Sequence, residues 1–302
     1  MFNHRLFTST ILTCLLLCSQ PLYATTYKTN GDIIGTDTYY IVKRNDRLPV
    51  IARNFDIGLV ELLAANPEVT PEHLIAGKAL VLPTMHILPE PQGGIVLNLS
   101  NLRLFYYRDD DTVMTLPVGI GHDGWETPTG TTSITVKRKD PTWIVPDSIR
   151  KENPKLPHMV LPGPDNPLGQ YALNLNWSGY RIHGTNFPYS VGKRTSHGCI
   201  RLYPEDIEQL FHAVSIGTPV TVIDTPYTLG WQGNTLWLEV MPTQQQANVI
   251  AKYKRPKPVV MPGIDKAIQE MAGDHTVINW DMVHQAVANF SGIPVAIGQK
   301  SP

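Results

Sequence analysis

The sequence predicts a mainly β protein. A β-sandwich or barrel-like central domain is preceded by a small α+β module and followed by a small helical appendage. Three observations predict this. The chain carries 26 prolines and 23 glycines in 302 residues, a composition that demands many turns. Between residues 95 and 223, short strand-like segments recur between turn residues, with one clear helix at the end; that spacing suits a sandwich or barrel. Residues 39–83 run strand, helix, helix, strand, which suits a compact module.

The chain begins with an export signal. Arg5 with His4 gives a short basic start, Ile11–Cys18 an apolar centre, and Leu22–Ala24 a small residue for cleavage. The apolar run is shorter than the ~20 residues a bilayer span requires. Cys14 and Cys18 fall inside this signal (1–24), so cleavage leaves Cys199 as the sole thiol and excludes an intramolecular disulfide. The hydrophobic share of 42% supports a packed core, and the net charge of −1 lacks the basic excess of a nucleic-acid binder.

Residues 25–36 read as a spacer. Within 37–83, Tyr39–Val42 alternates as a strand. Leu48–Ala52 and Leu59–Leu63 have helical spacing, Pro49 suits a helix start, and Asn66-Pro67 stops the second helix. Gly77–Pro83 turns into a strand. Residues 84–94, rich in proline and glycine, read as a linker.

The central domain, 95–226, opens with strands Ile95–Leu99 and Leu102–Tyr107 around the turn Ser100-Asn101. Turns follow at Pro117–Gly121 and Thr127–Gly130, then a strand at Thr131–Lys137. The Gly-x-Gly at 119–121 lacks the helix and lysine of a phosphate loop. Residues 140–170 hold seven prolines, from Pro141 to Pro167; a long insertion of this kind in a compact domain is usually functional. Ala172–Leu175 and Tyr180–His183 read as strands. Pro204-Glu-Asp starts a helix whose Ile207, Leu210, Phe211 and Val214 form one apolar stripe, and Pro219–Ile223 is the closing strand. In 227–302, Ile264–Met271 and Trp280–Phe290 have helical spacing. His212, His275 and His284 are given no chemistry, and Lys252–Lys257 reads as a solvated basic face.

The chemistry concentrates in one stretch: His183-Gly184, then Ser196-His197-Gly198-Cys199-Ile200-Arg201. A thiol with an ordinary pKa of about 8.5 needs help to ionise, and a neighbouring imidazole supplies it. Gly198 leaves room for a substrate carbonyl and lets backbone N–H groups turn toward an oxyanion. The residues alone leave three readings open: a packed small hydrophobe, a zinc site lacking its fourth ligand, or a nucleophile.

This stretch resembles the catalytic signature of the YkuD-type L,D-transpeptidases, a His-Gly followed after a gap by Ser/Thr-His-Gly-Cys. The envelope branch carrying Arg at the position of Arg201 is the most similar. Residues 39–83 resemble a LysM module through Tyr40-Ile-Val, Asn45-Asp46-Arg-Leu48, Asn66, Gly77 and Leu80–Pro83; family members usually carry Gly-Asp-Thr-Leu where this chain has Asn45–Leu48. The 227–302 region resembles the C-terminal appendage of some envelope L,D-transpeptidases; residues 140–170 correspond to a region that overlies the family's active-site groove, in which Asn166–Gly169 matches a recurring segment.

The resemblance implies a periplasmic acyltransferase. Cys199 attacks a peptidoglycan stem tetrapeptide at the bond between diaminopimelate and D-Ala, and an amine resolves the thioester. His183 is the implied base, oriented by the Gly184 carbonyl. Ser196, His197 and Gly198 shape the turn and its oxyanion donors, and Arg201 pairs with a substrate carboxylate or sits in a structural salt bridge. Glycan strands are the implied partner of the LysM module. Diaminopimelate and the lysine of an envelope lipoprotein are the candidate acceptors. No metal or cofactor is implied. A hydrolase on the same fold, a non-catalytic wall binder and a zinc peptidase are the competing readings.

Overall fold

The structure is a computed structural model describing residues 25–108 and 111–301. The expected export signal, with Cys14 and Cys18, lies outside the described residues. A nine-stranded sheet forms the centre. Its order is Thr25–Lys28, Thr112–Pro117, Arg103–Arg108, Gly94–Asn98, Pro219–Ile223, Gly130–Lys139, Tyr171–Leu175, Arg181–His183 and Ile200–Arg201.

The long strand Gly130–Lys139 makes the sheet curl. Its first residues, 130–133, pair with Pro219–Ile223. From Ile134 on it pairs with Tyr171–Leu175, with a register break between Ile134 and Val136. A bulge of this kind bends the strand and increases its twist, so one continuous sheet closes over its own core. Ile95, Leu97, Leu104, Leu116, Ile134, Leu173, Ile182 and Ile200 fill that core and are fully buried. The expected sandwich-like, mainly β architecture is therefore present.

Two segments differ from their sequence reading. Residues 25–36 are no free spacer: Thr25–Lys28 is an edge strand paired with Thr112–Thr115 of the strand Thr112–Pro117, and Ile33–Ile34 pairs with His86–Ile87. The presumed linker 84–94 is correspondingly packed, with His86, Ile87 and Leu88 buried. Alternation over four residues is too short to single out an edge strand, and a two-residue pair has no periodicity to read.

The front module has the expected order: Thr38–Ile41, helix Leu48–Asn54, helix Leu59–Ala65, Ala79–Leu82. Asn66 ties its second helix to the last strand, donating to the Leu62 and Val81 carbonyls and accepting from the Val81 N–H, each at 2.8 Å. The module docks firmly on the central domain. Arg53 makes a two-pronged ion pair with Glu205 (2.8 Å each). Glu61 accepts from Arg103 Nε at 3.1 Å and Nη2 at 2.8 Å. Gly192 closes the seam, because a Cβ there would stand 2.3 Å from the Leu59 nitrogen.

The C-terminal unit contains the expected helices as Ile264–Ala272 and Trp280–Asn289, and adds Gln244–Ile250. It is more than a helical appendage. The helices accompany a four-stranded antiparallel sheet, ordered Tyr227–Gln232, Thr235–Val240, Val295–Lys300, Thr276–Ile278. The first two strands form a hairpin interrupted by Gly230 and two indoles, while Thr235–Val240 takes its other partner from Val295–Lys300 far along the chain, a pairing no local pattern reveals. Glu239 from this unit meets His86, 3.4 Å away, with both side chains buried. Burial holds the His86 imidazole well below its ordinary value and the Glu239 carboxyl well above its own.

Candidate active site

The strand Arg181–His183 and the two-residue strand Ile200–Arg201 run parallel, with Ile182 opposite Ile200 and His183 opposite Arg201. Cys199 immediately precedes the second strand. That register sets Cys199 beside Arg181, two positions along the sheet from His183 and on the same face, and both His183 and Cys199 line one cleft of about 480 Å³.

His183 is buried. Its Nδ1 lies 2.6 Å from the Gly184 carbonyl oxygen. That oxygen only accepts, so the proton sits on Nδ1 and the Nε2 lone pair remains for proton transfer. Burial, and secondly the Arg201 guanidinium, push the imidazole down to about 3. Gly184 is required beside it, because a Cβ there would meet Ile207 at 3.0 Å.

Cys199 is half-buried and free. Its thiol points at the Gly179 carbonyl, 3.6 Å away. Burial pushes the thiol up, while Arg181 and Arg201 pull it back. The sequence suggested a thiolate helped by a nearby imidazole. Desolvation outweighs that help here, and the resting pair is a neutral thiol and a neutral imidazole.

The turn before Cys199 is held from inside. Ser196 Oγ donates to the Cys199 carbonyl at 2.5 Å. Thr127 Oγ1 donates to the Gly198 carbonyl at 2.9 Å and accepts from the Gly121 N–H. Gly198 has φ +94°, and a Cβ on it would lie 2.9 Å from Tyr180 Cε1. With these carbonyls engaged, the N–H groups of His197, Gly198 and Cys199 meet no acceptor among the described residues.

His197 faces away from this turn. Its Nε2 lies 3.1 Å from Glu152 Oε2, and its ring contacts Trp125 and His122 edge-on at 5.0 and 5.2 Å between centroids. Arg201 lies on the cleft wall, and its backbone exchanges two 2.8 Å hydrogen bonds with Gly119. Its side chain makes no ion pair among the described residues, and its Nε is buried without a partner. The salt-bridge alternative for Arg201 is not realised.

Sequence reasoning passed over several cleft residues. The proline-rich segment covers the cleft and contributes Trp143, Pro146, Ile149 and Leu156, and it contains an unexpected helix, Asp147–Glu152. Arg181 was visible only as a strand residue. Gly119 and Gly121, dismissed as a phosphate loop, allow close packing behind the nucleophile strand: a Cβ on Gly119 would stand 2.7 Å from the Ser190 carbonyl oxygen. Among the described residues, no group of three or more His, Cys, Asp or Glu side chains is placed to hold a metal ion.

A thiol and an unprotonated imidazole at one end of a covered cleft define a class, the cysteine-dependent acyltransferases. Comparison with known proteins narrows it. Residues 92–222 match the YkuD family, the L,D-transpeptidase catalytic domain, and residues 40–83 match the LysM domain. The probable L,D-transpeptidase ErfK/SrfK of Escherichia coli (strain K12) is 35% identical over 301 residues, 95% of each chain. The probable L,D-transpeptidase YcfS of the same strain is 38% identical over 213 residues, 67% of each. Among solved structures, the catalytic domain of an Enterococcus faecium L,D-transpeptidase is 26% identical, covering 45% of this chain and 100% of that one with a TM-score of 0.35. The chain belongs to the L,D-transpeptidase family and carries a LysM domain.

Proposed function

We propose that the protein transfers the acyl group of a peptidoglycan stem tetrapeptide through a thioester on Cys199. The observation that carries this is the neutral, buried His183, with Nδ1 committed to the Gly184 carbonyl, in the cleft that holds the thiol. His183 Nε2 takes the Sγ proton as sulfur attacks the carbonyl between diaminopimelate and D-Ala. The N–H groups of His197, Gly198 and Cys199 receive the oxyanion; a donor of this kind typically contributes about 3 kcal/mol to transition-state stabilisation. The C–N bond breaks, His183 returns its proton to the departing D-Ala amine, and the thioester remains. An acceptor amine then attacks, gives its proton to His183, and releases the thiol.

Arg201 pairs with a substrate carboxylate, a role supported by its unpartnered buried Nε. The acceptor is a diaminopimelate amine, giving a 3-3 cross-link, or a lysine of an envelope lipoprotein. Water as acceptor is the competing outcome. In this reading residues 1–24 direct export to the periplasm, 37–83 hold glycan strands, 84–94 connect, 95–226 catalyse and 227–302 form an accessory unit.

The test combines stem-peptide turnover with intact-protein mass spectrometry in the presence of a carbapenem. Cys199→Ala is expected to abolish transfer, hydrolysis and drug adduct while the fold persists. Cys199→Ser is expected to fare almost as badly. Turnover by Cys199→Ala at the wild-type rate would overturn the thioester mechanism.

A further inference from the structure

The segment 142–161 covers the cleft as a lid. At its base, Asn166 Nδ2 donates to the Val160 and Leu161 carbonyls, both at 3.2 Å, and to Pro141 at 2.8 Å. Beyond that base, among the described residues, the hydrogen bonds that tie the lid to the rest of the protein both end on one carboxylate. Glu152 Oε1 accepts from Trp125 Nε1 at 2.9 Å, and Glu152 Oε2 pairs with His197 Nε2 at 3.1 Å. The other bonds of the segment are internal, such as Val145 N–H to the His158 carbonyl.

Both partners of Glu152 belong to the machinery of the nucleophile turn. His197 is two residues from Cys199. Trp125 lies in the loop whose His122 N–H donates to the Ser196 carbonyl at 3.0 Å. The same loop positions Thr127 under Gly198. Lid position and turn geometry therefore meet in a single side chain. Hydrogen bonding to His197 holds the Glu152 carboxyl below the usual carboxylate range, so it stays an acceptor at neutral pH.

We propose that Glu152 is a positioning residue for acyl transfer: by gripping His197 and Trp125 it keeps the lid over the thioester and sets how the acyl group is divided between an amine acceptor and water. The inference rests on Cys199 carrying the acyl group. A closed lid excludes water and holds the acceptor in line, whereas a lid free at its tip admits both at random. Nothing about the first deprotonation requires Glu152, so acylation should depend on it less than partition does.

The experiment uses the full chain, a soluble disaccharide-tetrapeptide donor and diaminopimelate as acceptor. Transfer product and hydrolysis product are counted together. Glu152→Ala is expected to lower the transfer-to-hydrolysis ratio by about tenfold and raise the acceptor KM, with donor acylation changed by less than about threefold. Trp125→Phe keeps the ring against His197 and removes one donor, so a smaller change in the same direction is expected. Glu152→Gln, which retains an acceptor oxygen, is expected to restore most of the ratio. A wild-type ratio and acceptor KM in both Glu152→Ala and Trp125→Phe would overturn the proposal. Cys199→Ala in parallel separates the two ideas: a dead Cys199→Ala beside an unaltered Glu152→Ala removes the latch alone, and an active Cys199→Ala removes the thioester.

Discussion

His183 and Arg201 stand opposite each other in parallel register, the imidazole buried and the Arg201 guanidinium, without an ion-pair partner among the described residues, acting on it. A cation next to a desolvated imidazole favours the neutral ring, and the result is a base that stays free of protons in mildly acidic solution. This relationship sets the first prediction.

The rate of acylation is expected to hold as pH falls from 7 to 5. The unprotonated imidazole is the active form, its ordinary value is 6.5, and here it lies at about 3. Activity through this group is therefore lost only as pH falls toward about 3. Stopped-flow acylation by a chromogenic β-lactam measures it. Arg201→Gln should move the acid limb upward, since it removes the neighbouring positive charge. An acid limb centred near 6.5 in the wild type contradicts the buried, neutral His183.

A second buried pair makes folding sensitive to alkali. Asp56 of the LysM domain and Asp206 of the helix Pro204–Ala213 are neighbouring carboxyls, the first half-buried and the second buried, and one oxygen of each is without a hydrogen-bond partner among the described residues. Burial raises both, and the Asp56 charge raises Asp206 further. A carboxyl raised on folding contributes stability at low pH that is lost as pH climbs above the unfolded value of about 4 and through the folded one. The melting temperature is expected to fall between pH 5 and pH 8. Asp206→Asn, which donates without titrating, should flatten that fall. Equal slopes in the two proteins refute Asp206 as the group that titrates.

The seam between the LysM and catalytic domains depends on Arg103 and Glu61, whose side chains are 3% and 9% exposed. Removing one partner of a buried ion pair strands the other, at a cost of ~3–5 kcal/mol. Glu61→Ala and Arg103→Ala should each lower the urea midpoint steeply. Arg103→Met combined with Glu61→Gln should lose less than the sum, because no unpaired charge remains. For the same reason, deletion of the LysM domain is expected to destabilise the catalytic domain, which would be left with Arg103 uncompensated. Additive urea shifts in the double variant would show that the pair is not coupled.

Gly198→Ala is expected to leave a folded but nearly inactive protein. Its φ of +94° disfavours any side chain, and the added methyl meets Tyr180 at 2.9 Å. Reshaping the turn displaces the Gly198 and Cys199 N–H groups, and loss of even one oxyanion donor costs about 10²–10³ in rate. Circular dichroism with stem-peptide turnover checks both halves; wild-type turnover would show that the turn tolerates the methyl.

Much of the candidate site is legible because it is local. His183, Gly184, Gly198 and Cys199 fall within seventeen residues, and the strand–turn–strand that joins them needs no distant partner to be recognised. The helix Pro204–Ala213 announces itself by its proline and acidic start and its apolar stripe. Other features have no local signature. Glu152 is one glutamate among charged neighbours until the lid folds back onto His197 and Trp125. Thr25–Lys28 is four residues whose role depends on Thr112–Pro117, nearly ninety positions away.

The sequence by itself determined the chemistry available: one thiol in a glycine turn, an imidazole on the preceding strand, a LysM pattern ahead of a β domain, and the family to which they belong. Only the tertiary structure decided the state of that chemistry. Whether His183 is charged, whether Arg201 is paired and whether the lid is tied down depend on burial and on which distant groups come within about 3 Å of each other. Desolvation and hydrogen bonding are set by surroundings, and those surroundings are assembled from segments that the chain keeps far apart.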